Sequence, residues 1–141
     1  MLFRSPKANI DPQTLQAVIA CRYDVLAAYA KSVERVFAEE MQKLRAVAPQ
    51  EARVLRSLKP WLNQNEKMVP EPARRMLAEA LSKSGVLLTM VTMRRDLAAL
   101  WSRSAATREQ LVKQLQDWCR RAEASGIRPL AEFSLHLRQY T

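Results

Sequence analysis

The sequence predicts an all-α fold, an irregular bundle of five or six helices with one long N-terminal helix and short connections. Three observations carry this. Only two glycines occur in 141 residues of which 48% are hydrophobic, which argues against disorder and against a turn-rich β fold. Apolar residues recur at spacings of three and four in almost every segment. The seven prolines and the capping residues stand at the ends of those segments. The length suits about one domain, with residues 1–10 as a linker and 11–141 as a single helical domain.

In chain order, Asp11-Pro12 is a helix start, because Asp caps free N–H groups and Pro is tolerated at the first position. No proline or glycine follows until after Ala46. Leu15, Val18, Ile19, Leu26, Tyr29, Val33, Val36, Phe37, Met41 and Leu44 trace one apolar stripe, with Arg22 lying on it and snorkelling to an edge. Pro49 opens a helix carrying Val54, Leu55 and Leu58, and Pro60 ends it, kinks it or begins a short turn holding Trp61 and Leu62. Asn63 to Pro70 is polar and bounded by proline, the most loop-like piece of the interior. Pro72 restarts a helix through Met76, Leu77, Ala80 and Leu81, which Ser82 to Gly85 breaks. Val86 to Ser104 forms the next, burying Leu87, Met90, Val91, Leu97, Leu100 and Trp101.

Thr107 and Gln110 have the spacing of a capping box, opening a helix that buries Leu111, Leu115, Trp118 and either Cys119 or Ala122. Gly126 sits where a helix end needs a residue at positive φ, and Ile127 follows where the cap makes an apolar contact. Arg128 before Pro129 is pushed toward extended geometry, and Leu130, Phe133 and Leu137 then share one face of a last helix running nearly to Thr141.

The formal charge is +9, from 23 Lys and Arg against 14 Asp and Glu, which implies attraction to a polyanion, either nucleic acid or an anionic membrane. The longest apolar run, Gly85 to Val91, is far below the roughly 20 residues of a spanning helix. The N-terminus MLFRSPKANID lacks the apolar core of a signal peptide, so the expected location is the cytoplasm. Cys21 and Cys119 read as two reduced, partly buried thiols.

Candidate chemistry is sparse. His136, the single histidine, has no Cys or His at metal-ligand spacing and reads as structural. Cys119 beside Arg120 and Arg121 has neighbours that would lower a thiol pKa, but no partner that would make it a nucleophile, so packing is its expected role. The carboxylates, among them Glu109, Asp117, Glu123 and Glu132, read as solvated partners of nearby cations, with Glu109 and Asp117 ordered to meet Lys113 and Arg121. No glycine-rich phosphate loop exists, and no metal, cofactor or small-molecule substrate is expected in this chain. The doublets Arg74-Arg75, Arg94-Arg95 and Arg120-Arg121 stand on three helices and would form a cationic docking face if they converge; a solvated surface is the plainer reading. The three tryptophans and Tyr140 fall on apolar stripes and read as core.

The string Trp118, Cys119, Ala122, Glu123, Ala124, Ser125, Gly126, Ile127, then Leu130, Phe133, Leu137 and Tyr140, resembles the C-terminal end of bacterial membrane-bound fatty acid (acyl-CoA) desaturases. The likeness extends through Leu97 to Trp101 and back to Pro6–Asp11. It implies a non-catalytic helical region that follows the membrane domain of a di-iron oxidoreductase, whose histidine boxes this chain lacks. The implied partners are that catalytic domain, the anionic inner face of the membrane, or an acidic protein. A related pattern, Trp, then Ala, then Ser-Gly-Ile, then Leu-x-x-Phe, also occurs near the end of insertion-sequence transposases. That alternative implies a nucleic-acid-binding helical module, with the Asn63-to-Lys67 loop and the Arg74-Arg75 helix as candidate contacts. The acidic catalytic triad of such enzymes is not identifiable in the sequence.

Overall fold

Proline in the first turn or a side-chain cap marks the start of most helices, because each removes or satisfies a free N–H group, and seven α-helices occur among the described residues. The computed structural model describes residues 10–102 and 106–140. Among them are α1 (Pro12–Ala20), α2 (Arg22–Val47), α3 (Pro49–Ser57), α4 (Glu71–Leu81), α5 (Gly85–Ala98), α6 (Arg108–Ala124) and α7 (Arg128–Arg138). Three short 3₁₀ turns, Lys59–Trp61, Glu66–Met68 and Ala99–Ser102, complete the set, and no strand occurs among the described residues. The fold class is all-α, with more helices than the periodicity suggests. Ser104, the expected end of the helix begun at Val86, and Pro6 to Asn9 of the N-terminal motif lie outside the described residues.

The extra helix comes from a break at Cys21, whose φ of −115° and ψ of 42° end α1. A continuous helix would carry Arg22 on the same stripe as Leu15 and Val18, driving a guanidinium toward the core. Across the break Arg22 is exposed, while Val25, 1% accessible, is buried as Val18 is. Asp11 caps α1 as its sequence predicts, its Oδ1 accepting from the Thr14 N–H at 2.8 Å. Ile10 is buried, and its N–H donates to Gln116 Oε1 at 3.1 Å. Pro60 resolves as part of a 3₁₀ turn that continues the chain from α3.

The chain divides into two compact units, one of Met1–Tyr29 with Asp96–Thr141, the other of Ala30–Arg95. In the first, α6 packs against α7 and α1. Its interior holds Val18, Tyr29, Leu115, Trp118, Leu130 and Leu137, all essentially inaccessible. Trp101 is half-buried, and its indole N–H donates to the Ile19 carbonyl at 3.1 Å. In the second, α3 packs on α4, with Ala52, Leu55, Leu77 and Leu81 buried. Along α5, Met93 is buried with the expected Leu87, Met90 and Leu97, while Val91 stays half-buried. Both cysteines are free thiols, Cys21 half-buried and Cys119 buried. No helix among the described residues is long and apolar enough to cross a membrane.

Candidate nucleic-acid interface

The C-terminal motif forms a closed corner. Thr107 opens α6 with the predicted capping box: its hydroxyl accepts from the Gln110 N–H at 3.1 Å, and Gln110 Oε1 accepts from the Thr107 N–H at 2.9 Å. Gly126, at φ 79°, follows the Ser125 C-cap and turns the chain into α7. Trp118, Cys119 and Ala122 on α6 and Phe133 on α7 are buried. Trp118 and Phe133 meet edge-on at 5.8 Å, and Tyr29 stands edge-on to both, at 6.1 and 5.1 Å. Such aromatic clusters bury large areas and prefer this edge-to-face geometry.

Glu123 is not the solvated carboxylate its sequence context suggests. Arg138, with 7% of its side chain accessible, donates to it through Nε at 2.6 Å and Nη2 at 3.2 Å. The Ser134 hydroxyl donates to the same carboxylate at 2.7 Å and lies 3.2 Å from the Cys119 carbonyl. Burial pushes the Glu123 carboxyl up, but the hydrogen bonds from Arg138 and Ser134 and the Arg138 charge outweigh it and hold the carboxyl below its ordinary range. Burial likewise pushes the Cys119 thiol up, more than Ser134 and Arg138 pull it down, so the adjacent Arg120-Arg121 doublet does not activate it. Ser134 and Arg138 are silent in the sequence because they reach Glu123 from the next helix. Their i,i+4 spacing on α7 is the only local hint.

The second unit presents a different surface. Leu62 and Val69, 2% and 4% accessible, anchor the two ends of the segment from Asn63 to Met68. Between them the chain is pushed outward, with Gln64, Asn65, Lys67 and Met68 exposed and a 3₁₀ turn closed by the Met68 N–H on the Asn65 carbonyl at 2.8 Å. Arginines from two helices hold this loop. Arg74 on α4 donates through Nη2 to the Val69 carbonyl at 3.1 Å, and Arg94 on α5 donates through Nη1 to Asn65 Oδ1 at 3.3 Å. Arg75 and Arg95 are exposed. Glu71 offsets part of this charge, 3.1 Å from Arg75 and 3.9 Å from Arg74. Lys59 leans over the Phe37 ring at 5.5 Å from its centroid.

One arginine from each of two predicted doublets thus holds this loop. The third doublet belongs to the other unit, where each guanidinium is matched by an aspartate: Arg120 by Asp117 at 3.1 Å and Arg121 by Asp96 at 2.9 Å. Asp117 therefore pairs three residues on, with Arg120, because Asp96 takes Arg121. Ala30 to Arg95 carries 13 of the 23 Lys and Arg residues and seven of the 14 carboxylates, so most of the net positive charge lies in this unit. His136 is exposed, edge-on to Tyr140 at 5.9 Å. Among the described residues, no three His, Cys, Asp or Glu side chains come together to hold a metal ion. No catalytic step is assigned to them.

A model of the DDE_Tnp_ISL3 family, described as transposase, matches residues 9–141. No curated protein and no solved structure matches the chain. The family match overturns the desaturase resemblance, and with it the di-iron parent enzyme, its catalytic domain as a partner, and any place in lipid metabolism. The physical reason is visible in the corner: the residues that carry the likeness are those a helix–glycine–helix turn needs to bury Trp118 and Phe133, whatever protein contains it. The chain belongs to the ISL3 group of DDE transposases.

Proposed function

We propose that this chain is a DNA-contacting helical domain of a DDE transposase, and that the loop Asn63–Pro70 with its flanking cations is the contact surface. The observation that carries this is an exposed polar loop held on two helices by Arg74 and Arg94, with Lys67 exposed within it and Arg75 and Arg95, their neighbours in the chain, exposed as well. Cations on rigid helices neutralise phosphates at little cost in ordering, and they position whatever lies between them. Here that is Gln64 and Asn65, side chains of the type that hydrogen-bond adenine edges. The transposase family match favours nucleic acid over the other polyanions a charge of +9 would attract.

The test is fluorescence anisotropy with a labelled duplex across a salt series. Binding is expected to weaken steeply with log[salt], by about 0.9 in slope for each phosphate neutralised. The triple variant Lys67→Gln, Arg75→Gln, Arg95→Gln is expected to flatten that slope by about 1 for each phosphate it no longer neutralises. Absence of duplex binding at low salt would sink the proposal, as would a slope the triple variant leaves unchanged.

A further inference from the structure

The loop Asn63–Pro70 holds two side chains in a way that phosphate contact alone does not use. The first is Asn65. A guanidinium carries only N–H donors, so the bond from Arg94 Nη1 to Asn65 Oδ1 at 3.3 Å fixes which way the amide faces. The oxygen is committed to α5, and the exposed side chain offers its NH2 group, two donors, to a ligand. The major-groove edge of adenine asks one amide for a donor and an acceptor together. The minor-groove edge of an A·T pair shows acceptors alone, adenine N3 and thymine O2, and a G·C pair adds the guanine amino donor there. An amide that presents donors matches the first of these minor-groove edges and opposes the second.

The second side chain is Met68. It is 66% accessible, although Val69 beside it is 4% accessible. Its backbone is held on both sides: the Met68 N–H donates to the Asn65 carbonyl at 2.8 Å, and the Val69 carbonyl accepts from Arg74 Nη2 at 3.1 Å. An apolar side chain is thus fixed in water beside the exposed polar Gln64, Asn65 and Lys67. A lone exposed apolar residue is ordinary. One set three residues from an amide reader, across a 3₁₀ turn that carries such positions on one side, has the makings of a wedge. Minor-groove proteins combine polar readers with apolar side chains, methionine among them, that enter between base pairs and kink the duplex. Lys67, between the two in sequence, suits the strong negative potential of a narrow A·T groove.

We propose that this loop enters the minor groove of A·T-rich DNA, where Asn65 reads the base pairs and Met68 wedges between two of them. This mode of binding rests on the loop being a DNA contact, and its failure is distinguishable from a failure of that contact. By fluorescence anisotropy, an A·T duplex is expected to bind about tenfold tighter than a G·C duplex of equal length. Replacing adenine by 3-deazaadenine, which lacks the minor-groove acceptor, should remove most of that preference, and 7-deazaadenine should leave it. Asn65→Ala should remove it as well.

The wedge is read separately, with 2-aminopurine placed in the A·T duplex, since its fluorescence rises when it is unstacked. Brightening is expected with the wild-type chain and with Met68→Leu, and not with Met68→Ala. Met68→Ala should keep the wild-type salt slope, because it removes no cation. Equal affinity for the two duplexes overturns the proposal, as does sensitivity to 7-deazaadenine alone, which would mean the major groove. So does brightening that is absent in the wild type or undiminished in Met68→Ala. Each of these leaves the DNA contact standing, whereas no duplex binding at low salt removes both.

Discussion

Two arginines, Arg138 and Arg75, show how differently the two regions of this molecule use the same side chain. At the α6–α7 corner Arg138 is buried and spends its fork on Glu123, beside an aromatic cluster that excludes water. At the Asn63–Pro70 loop Arg75 is 80% accessible and shares one exposed carboxylate, Glu71, with Arg74. A buried, doubly hydrogen-bonded pair is costly to break, because the surviving charge is left without water or partner. An exposed pair contributes little to stability, and its cation stays available to a phosphate. The corner should therefore govern stability and the loop should govern binding.

The largest effect that would test this division is Trp118→Ala, expected to lower unfolding stability by about 3–5 kcal/mol in urea titration, because a fully buried aromatic leaves a cavity behind. A loss below about 1 kcal/mol would mean that the corner is not the core of its unit.

Next comes Glu123→Gln, expected to cost about 2 kcal/mol by weakening the charged hydrogen bonds that Arg138 donates to a half-buried carboxylate. The same pair sets an acid limit. The folded state holds the Glu123 carboxyl below its ordinary value near 4.5, so its contribution is complete above that pH and disappears as pH falls through the lowered value. Thermal unfolding between pH 7 and pH 3 should show that loss in the wild-type chain and much less of it in Glu123→Gln.

Gly126→Ala is expected to cost about 1 kcal/mol. A Cβ there would meet nothing within 4 Å, so backbone strain at φ 79° is the only cost. At the smallest end, Arg75→Gln should change stability by less than about 0.5 kcal/mol while weakening duplex binding. If Arg75→Gln destabilised the chain as much as Glu123→Gln does, the contrast between the two regions would fail.

Much of the fold can be read from the chain because caps and breakers act locally. Asp11, the Thr107–Gln110 box, Gly126 and the first-turn prolines Pro12, Pro49, Pro72 and Pro129 each act on the backbone within four residues, and each ends or opens a helix as its chemistry requires. The break at Cys21 carries no such mark. The sequence places Arg22 on the apolar stripe, but does not show that the helix ends at Cys21 and leaves Arg22 exposed. The candidate interface is half legible. The loop and the doublets are visible as composition, whereas the bonds from Arg74 to Val69 and from Arg94 to Asn65 depend on how the helices seat the loop.

The C-terminal motif misleads as to the desaturase, while its second likeness, to insertion-sequence transposases, agrees with the family match. A Trp, a small residue, Ser-Gly-Ile and a later Phe specify a turn between two helices, and that geometry serves unrelated proteins equally well. By itself, the order of residues determined an all-α chain with short connections, its corner at Gly126 and its strong positive charge, since propensity, capping and charge belong to single residues and near neighbours. Only the tertiary structure decided which cations are spent internally and which face outward. That choice depends on which carboxylate or carbonyl each long side chain meets across the packing, as Arg138 meets Glu123 and Arg121 meets Asp96.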